Sequence, residues 1–400
     1  MPLKSNKKKL LIITQSFIKY QGDILSKHIF VAAKLLTRAG WEVSVLAPHE
    51  SKLAFYEEIE GVKVFRFKYF FERYERLAYS GRMQQLVLKN PINFIIFLFF
   101  MFVFLLRALQ LVKRTRPSFL HAHWWIPTGV LGCLVSRLRN VPLLVTLHGT
   151  DVRLIRKNLA FTCLAKWVFK HATGITVVSN FIKSQLVGTL GVPPEKIFVL
   201  PMPIDPEKIY KKQMPPRERK MILCVARYTR QKNLDTLIRA FHRVYQERRD
   251  LDLIIIGEGP QRQNLLGLTR ELGLETKVFL YDLMRQEELN DYYNASEMVV
   301  LPSIDEGFGL VLVEEQWLRK PVIGARSGGI PDIIEDGKTG LLFPPKDHQS
   351  LASAIERVLS DESLASRLAE AGYRSAVSNF SQEAFLRRYL EVLKWTQRRF

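Results

Sequence analysis

Residues 298–325 read MVVLPSIDEGFGLVLVEEQWLRKPVIGA. The four apolar residues at 298–301 have the length and composition of a buried strand, which Pro302-Ser303 ends. A turn carrying Gly307 and Gly309 follows, then a helical stretch at 310–318 and a second short apolar run at 321–325. Strand, loop, helix and strand in so few residues is the repeating unit of a parallel sheet. Upstream the alternation continues, with strands expected at 221–226, 251–256 and 278–280 and helices at 233–247, 261–272 and 286–295. A doubly wound α/β domain follows, and ligands of such sheets bind beyond the carboxyl ends of the strands.

The alternation pauses at 200–220. Pro201, Pro203, Pro206, Pro215 and Pro216, with Pro194 just upstream, interrupt any long helix or central strand, so an interdomain linker is expected there. Before it, strands are expected at 9–14, 41–47, 62–67, 119–123, 143–148 and 174–178, separated by helix-length segments such as 24–38. That is a second Rossmann-like pattern, giving domains at 1–200 and 201–380. After the second sheet come helices at 350–359, 364–380 and 382–399.

A chain of 400 residues, 47% hydrophobic and 24% charged, can bury more than one core, and disorder is not expected. Cys133, Cys163 and Cys224 are too few and too scattered for a disulfide framework or a zinc site, which fits a reducing, cytoplasmic compartment. The apolar run at 10–13 after the basic start is too short for a signal-peptide core, so export is not expected. Residues 1–200 hold 29 Lys and Arg against 10 Asp and Glu, a net of +19, whereas residues 201–400 hold 30 against 29. A basic surface attracts nucleic acid, anionic lipid or phosphorylated ligands, and composition does not choose among them. The neighbouring sequence does. Residues 94–106, FIIFLFFMFVFLL, are apolar on every helical face, and residues 63–89 interleave Lys and Arg with Phe65, Phe67, Tyr69, Phe70, Phe71, Tyr74 and Tyr79. The uncharged run is shorter than the ~20 residues of a membrane span, so the expectation is either a core helix or contact with an anionic membrane surface.

The chemistry concentrates at 302–314. Gly307 and Gly309 let a ligand approach the backbone, and the first N–H groups of the following helix lack internal partners, a natural seat for a diphosphate. Glu306 and Glu314 can accept hydrogen bonds from hydroxyl groups at two separated points of one ligand.

This stretch resembles the signature of retaining glycosyltransferases of family 4, a Glu-x7-Glu element between a Pro-Ser strand end and the Pro321-Val322 strand. Also similar to family elements are Arg227 with Lys232-Asn233, the Gly257-Glu258-Gly259-Pro260 turn, His121-Ala122-His123, His148-Gly149-Thr150-Asp151 and Ser179-Asn180. The resemblance spans essentially the whole chain. It implies a GT-B architecture, two Rossmann-like parallel-sheet domains facing across a cleft, with residues 381–400 crossing back onto the first domain. It also implies transfer of a sugar from a nucleotide diphosphate-sugar to an acceptor hydroxyl, with retained anomeric configuration. Under it Arg227 and Lys232 clamp the diphosphate, Glu306 contacts the sugar, and Glu314 binds the ribose. Gly257, Gly259 and the amides of Gly307, Phe308, Gly309 and Leu310 line the donor, His148 faces the sugar, and Gly22, His123 and Asp151 serve the acceptor. No cofactor and no essential metal are expected, since Arg227, Lys232 and the helix end neutralise the diphosphate. Asp250-Leu251-Asp252 precedes a strand, away from the ligand edge.

Several positions depart from the family pattern: Tyr20-Gln21-Gly22-Asp23 replaces a Gly-Gly loop, Pro201-Met202-Pro203-Ile204-Asp205 replaces Pro-Asn-Gly-Val-Asp, and Tyr281-Asp282 stands where a Gly is usual. The expected acceptor is a lipid-linked or cell-envelope glycan at the inner membrane face. A soluble sugar or sugar phosphate acceptor, and a nucleotide-sugar epimerase or hydrolase, remain alternatives. Nucleic-acid binding is not expected, because no recognised nucleic-acid motif accompanies the charge.

Overall fold

The computed structural model describes residues 8–20, 23, 26–79, 83–149, 151–215 and 218–400. The chain forms two compact units, one of residues 1–178, 182–200 and 386–400, the other of 179–181 and 201–385.

The first unit has strands β1 (Lys9–Ile13), β2 (Glu42–Pro48), β3 (Tyr56–Ile59), β4 (Val62–Phe67), β5 (Phe119–His123), β6 (Leu143–Leu147), β7 (Gly174–Val177) and β8 (Ile197–Val199). They form one sheet in the order β3-β4-β2-β1-β5-β6-β7-β8, parallel except for β3, which pairs antiparallel with β4. Central strands such as β6, LLVTL, are buried along their whole length, as sheets covered on both faces require. The helices are α1 (Lys27–Arg38), α2 (Met83–Lys89), α3 (Pro91–Thr115), α4 (Val130–Arg139), α5 (Val152–Ile155), α6 (Leu159–His171) and α7 (Asn180–Leu190).

The second unit has strands β9 (Lys220–Val225), β10 (Leu251–Ile256), β11 (Val278–Tyr281), β12 (Met298–Leu301), β13 (Val322–Ala325) and β14 (Leu341–Phe343), in the parallel order β11-β10-β9-β12-β13-β14. Its helices are α8 (Leu234–Glu247), α9 (Arg262–Glu271), α10 (Gln286–Ala295), α11 (Leu310–Trp317), α12 (His348–Ser360) and α13 (Glu362–Phe380); α14 (Gln382–Arg398) ends the chain. In α8 the buried face carries Leu234, Leu237, Ile238, Phe241 and Val244, while Asp235 and Arg239 face solvent, the 3.6-residue pattern of a helix lying on a sheet. From Leu386 the chain groups with the first unit: Tyr389 shares a hydrogen bond with His121, and the Trp395 and Phe198 rings lie 4.8 Å apart.

Two sequence expectations need correction. β3, β8 and β14 are strands of three or four residues that the sequence reading did not single out, because segments so short at or near a sheet edge carry little periodic signal. The apolar helix is also longer than 94–106. Asn90 caps it, its side chain accepting the Ile92 N–H at 2.8 Å with Pro91 in the first turn. It continues past Arg107 because Ala108, Leu111 and Val112 extend the buried stripe while Arg107 faces solvent. At 25 residues and a mean hydropathy of 2.6 over its most apolar window, it has the length and composition of a membrane span.

Candidate functional site

Strand order reverses between β9 and β12 in the second sheet and between β1 and β5 in the first. Crevices at such switch points, outside the carboxyl ends, are where open α/β sheets hold ligands. Both candidate sets lie there.

In the second unit, the loop leaving β9 carries Arg227 to Asn233 and the loop leaving β12 carries Pro302 to Gly309. Three hydrogen bonds tie the loops together: Ile304 N–H to Gln231 O at 2.8 Å, Gln231 Nε2 to Asp305 O at 2.9 Å, and Asn233 Nδ2 to Pro302 O at 3.2 Å. The result brings Lys232 Nζ within 2.5 Å of Glu306 Oε2, with each side chain only 14% exposed. Burial by itself would raise the Glu306 carboxyl, but the Lys232 charge and hydrogen bond outweigh it, and the group is held below the ordinary carboxylate value. Arg227 is exposed at the mouth of the same loop.

Behind Glu306, Gly328 and Gly329 form a backbone cradle. Gly328 has φ +61°, and a Cβ there would stand 2.3 Å from Glu306 O; Gly329 N–H donates to the same carbonyl at 2.8 Å. Gly307, Phe308, Gly309 and Leu310 lead into α11. The Phe308 ring packs on Phe380 at 5.6 Å, so this residue offers the crevice its backbone rather than its ring. Glu314, one turn into α11, is buried and accepts the Tyr293 hydroxyl at 2.7 Å. On β10's far end, Gly257 and Gly259 pass so close to the β9 loop that a Cβ would lie 2.1 Å from Ala226 O and 2.5 Å from Tyr228 O. Asp252 is paired with Arg219 at 2.7 Å at the amino end of β10, and Asp282 with Arg262 at 2.8 Å.

In the first unit the β5 and β6 ends place His123 and His148 together, His123 Nδ1 and His148 Nε2 sharing a hydrogen bond at 3.0 Å. The His28 ring of α1 packs tilted against His148 with centroids 4.7 Å apart, and the His121 ring centroid lies 4.3 Å from that of His123. Burial lowers all four rings, His28 to about 4, His121 to about 3, and His123 and His148 well below the ordinary value. They are therefore neutral at pH 7, each able to donate at one nitrogen and accept at the other. His28 Nε2, His123 Nε2 and His148 Nδ1 are buried and meet no hydrogen-bond partner among the described residues. Such atoms invite the hydroxyl groups of a ligand. Asp151 accepts the N–H groups of Gly149 at 3.0 Å and His148 at 3.1 Å, and Trp125 Nε1 donates to its carbonyl at 2.8 Å, so it braces the loop that carries His148. Burial pushes its carboxyl up to about 6 despite those bonds. Gly22 and Thr150 lie outside the described residues.

Sequence reasoning passed over Tyr293, His28 and Glu315. Tyr293 and His28 carry no local signal; only the fold brings them to Glu314 and His148. Glu315 is fully buried beside Glu314, has no hydrogen-bond partner among the described residues, and is raised well above the ordinary carboxylate range by that burial. Among the described residues no cluster of three or more His, Cys, Asp or Glu is placed to hold a metal ion.

Comparison with known proteins identifies the family and the fold. A family model described as glycosyltransferase family 4 matches residues 25–208, and one described as glycosyl transferases group 1 matches residues 205–375. The chain is 26% identical to N-acetyl-alpha-D-glucosaminyl L-malate synthase of Bacillus anthracis, over 70% of this chain and 75% of that protein. It is 27% identical to the GDP-mannose-dependent alpha-(1-6)-phosphatidylinositol monomannoside mannosyltransferase of Mycolicibacterium smegmatis, over 67% and 74%. In fold it resembles the sucrose-phosphate synthase of Thermosynechococcus elongatus, with a TM-score of 0.80, 22% identity and coverage of 97% and 98%. With one match on each of its two parallel-sheet domains, the chain belongs to the group 1 glycosyltransferases and has the GT-B fold.

Proposed function

We propose that the second unit binds a nucleotide diphosphate-sugar and that the enzyme transfers the sugar, with retained configuration, to a hydroxyl of a lipid-linked or envelope glycan acceptor at the cytoplasmic membrane face. The observation that carries the donor reading is the Lys232–Glu306 pair at the switch point of the second sheet. A diphosphate arriving there draws Lys232 toward its own charge, with Arg227 adding a second cation and the amide end of α11 a third source of positive potential. Glu306, released from Lys232, is free to accept a sugar hydroxyl. In this reading Glu314, held by Tyr293, takes the ribose.

Lys232, Arg227 and the helix end stabilise negative charge on the departing diphosphate. In this reading Glu306 is engaged by a sugar hydroxyl rather than attacking the anomeric carbon, which favours a front-face route in which the leaving phosphate helps take the proton of the acceptor hydroxyl. In that route the bond from the anomeric carbon to the phosphate oxygen breaks as the acceptor oxygen attacks the same face. The neutral histidines of the first unit supply hydrogen bonds to sugar or acceptor hydroxyl groups without competing for that proton. These fixed cations replace a divalent ion in the donor site, so chelation leaves transfer unchanged.

The lipid-linked acceptor is supported by the basic first half and the apolar helix α3, and the Mycolicibacterium relative is named for a phosphatidylinositol mannoside substrate. Calorimetric titration of UDP, GDP and ADP, each also as a sugar conjugate, against wild type and Glu314→Ala tests the donor reading. Micromolar binding of one nucleotide, weakened by the substitution, is expected; no binding by any of the three refutes it. Anomeric NMR of the product then reads retention directly.

A further inference from the structure

We infer that the exposed apolar side of helix α3 docks on an anionic lipid bilayer, its projecting amino-terminal end holding the ligand edge of the first unit's sheet close to the lipid surface. The helix has two apolar faces. Ile96, Phe100, Phe104, Ala108 and Leu111 form the buried stripe on the first unit. Ile92, Ile95, Leu98, Phe99, Phe102 and Leu106 are exposed, Ile92 by 60% and Phe102 by 59%, and they recur at three- and four-residue spacing along the opposite side. Phe71 and Tyr74 widen this surface through Phe70, whose ring lies 5.5 Å from Phe99. An apolar surface of this extent marks an interaction site.

Its position follows from the topology. α3 leads into β5 and so runs opposite to the parallel strands; Phe67, the last residue of β4, packs on Phe100 at 5.7 Å and on Phe104 at 4.5 Å. Everything before Phe100 therefore projects past the carboxyl ends of the strands, by about 12 Å at Ile92. The exposed apolar residues are concentrated in that part of the helix, whereas Arg107, Gln110, Lys113 and Arg114 occupy the exposed positions farther along. The projecting end lies on the same edge of the sheet as His123, His148 and Asp151.

Charge selects the occupant. Residues 76–150 contain nine Lys or Arg and no Asp or Glu. The cations Arg73, Arg76, Lys89 and Arg107 are exposed around the apolar surface. Aromatic side chains rimmed by cations suit the headgroup region of an anionic leaflet. A second copy of the chain would bring two strongly positive surfaces together. Crossing the bilayer would require stripping the buried stripe of α3 from its sheet. This inference rests on and deepens the proposed membrane acceptor, because the projecting end brings the edge that carries His123, His148 and Asp151 toward the lipid surface.

The test is sedimentation of the full chain with phosphatidylcholine vesicles, with and without phosphatidylglycerol. Wild type should pellet with the mixed vesicles. Ile95→Gln/Phe102→Gln should lower its partition about tenfold or more. Arg73→Gln/Lys89→Gln/Arg107→Gln should remove the preference for phosphatidylglycerol. Both variants should keep the wild-type melting temperature and nucleotide affinity. Three results overturn the inference: wild type remaining in the supernatant, the apolar variant pelleting like wild type, or membrane-bound wild type resisting alkaline carbonate extraction. A vesicle-free dimer that dissociates in the apolar variant also overturns it, assigning the surface to a second copy. Vesicle binding that persists while no nucleotide binds at all leaves docking standing and refutes the transferase reading instead.

Discussion

Replacing Lys232 by Met removes a cation from a carboxylate 2.5 Å away while keeping the bulk of its stem. Both side chains are 14% exposed, so Glu306 is left nearly buried without its counter-charge. Breaking a fully buried pair costs about 3–5 kcal/mol; discounting for residual solvent access, about 2 kcal/mol is expected here. For a unit of this size that lowers the melting temperature by about 4–8 °C. The sign of the pH dependence also changes. In wild type Glu306 sits below its ordinary value, so its contribution is present above pH 4.5 and is lost as pH falls through the folded value. In the variant, burial remains and the cation is gone, so the folded value rises above the ordinary one and stability falls as pH rises through the interval between them. Donor affinity should drop about tenfold to a hundredfold, the worth of one charge-assisted hydrogen bond, and kcat about a hundredfold to a thousandfold. Calorimetric unfolding between pH 4 and 8, donor titration and a steady-state transfer assay read these quantities, and a double-mutant cycle with Glu306→Gln isolates the coupling of the pair. An unchanged melting temperature together with unchanged donor affinity would refute the reasoning, since it would mean that Lys232 neither neutralises Glu306 nor meets the diphosphate.

Four other outcomes are expected. Tyr293→Phe deletes the hydroxyl that holds Glu314 at 2.7 Å; nucleotide affinity should fall about fivefold to tenfold, with a loss near 1–2 kcal/mol in denaturant unfolding. Gly328→Ala places a Cβ 2.3 Å from Glu306 O at φ +61° and should cost more than about 2 kcal/mol as well as donor binding, whereas Gly337→Ala, at φ +73° with nothing within 4 Å, should cost only about 1 kcal/mol of backbone strain and leave binding intact. His121, buried and held at about 3, stabilises the folded first unit above pH 6.5 and loses that contribution as pH falls toward its folded value, giving up about 2 kcal/mol from pH 7 to pH 5, and His123, lowered by the same burial, acts in the same direction. Asp151, raised to about 6, acts in the opposite sense and returns about 1 kcal/mol over the same interval, so acid unfolding followed in His121→Gln should be the shallower curve. Chelation by EDTA should leave transfer unchanged, and a metal requirement in the transfer assay would refute the view that Lys232, Arg227 and the α11 amides suffice.

The sequence by itself determined the two parallel-sheet domains and carried the family resemblance of the stretch from Pro302 to Glu314. Each of these is a local signal: strand and helix periods are set by which face of a short segment is buried, and the glycines and carboxylates of the signature lie within a few residues of one another. It did not mark β3, β8 or β14, whose three or four residues are held by pairing with a neighbour rather than by a pattern of their own. Only the tertiary structure brought Lys232 to Glu306 across 74 positions, Tyr293 to Glu314 from another helix, and His28, His121, His123 and His148 into one neutral cluster with Tyr389 of the final helix behind it. Helix α3 shows the division most clearly. Its composition declared a helix apolar on every side, but which stripe the first unit would cover and which would be left exposed is a property of the sheet beneath it, fixed by where Phe67 and Tyr69 stand against Phe100 and Phe104. A residue's chemistry is written in the chain, whereas its neighbours, and so its charge state and its exposure, are written by packing between segments far apart in sequence.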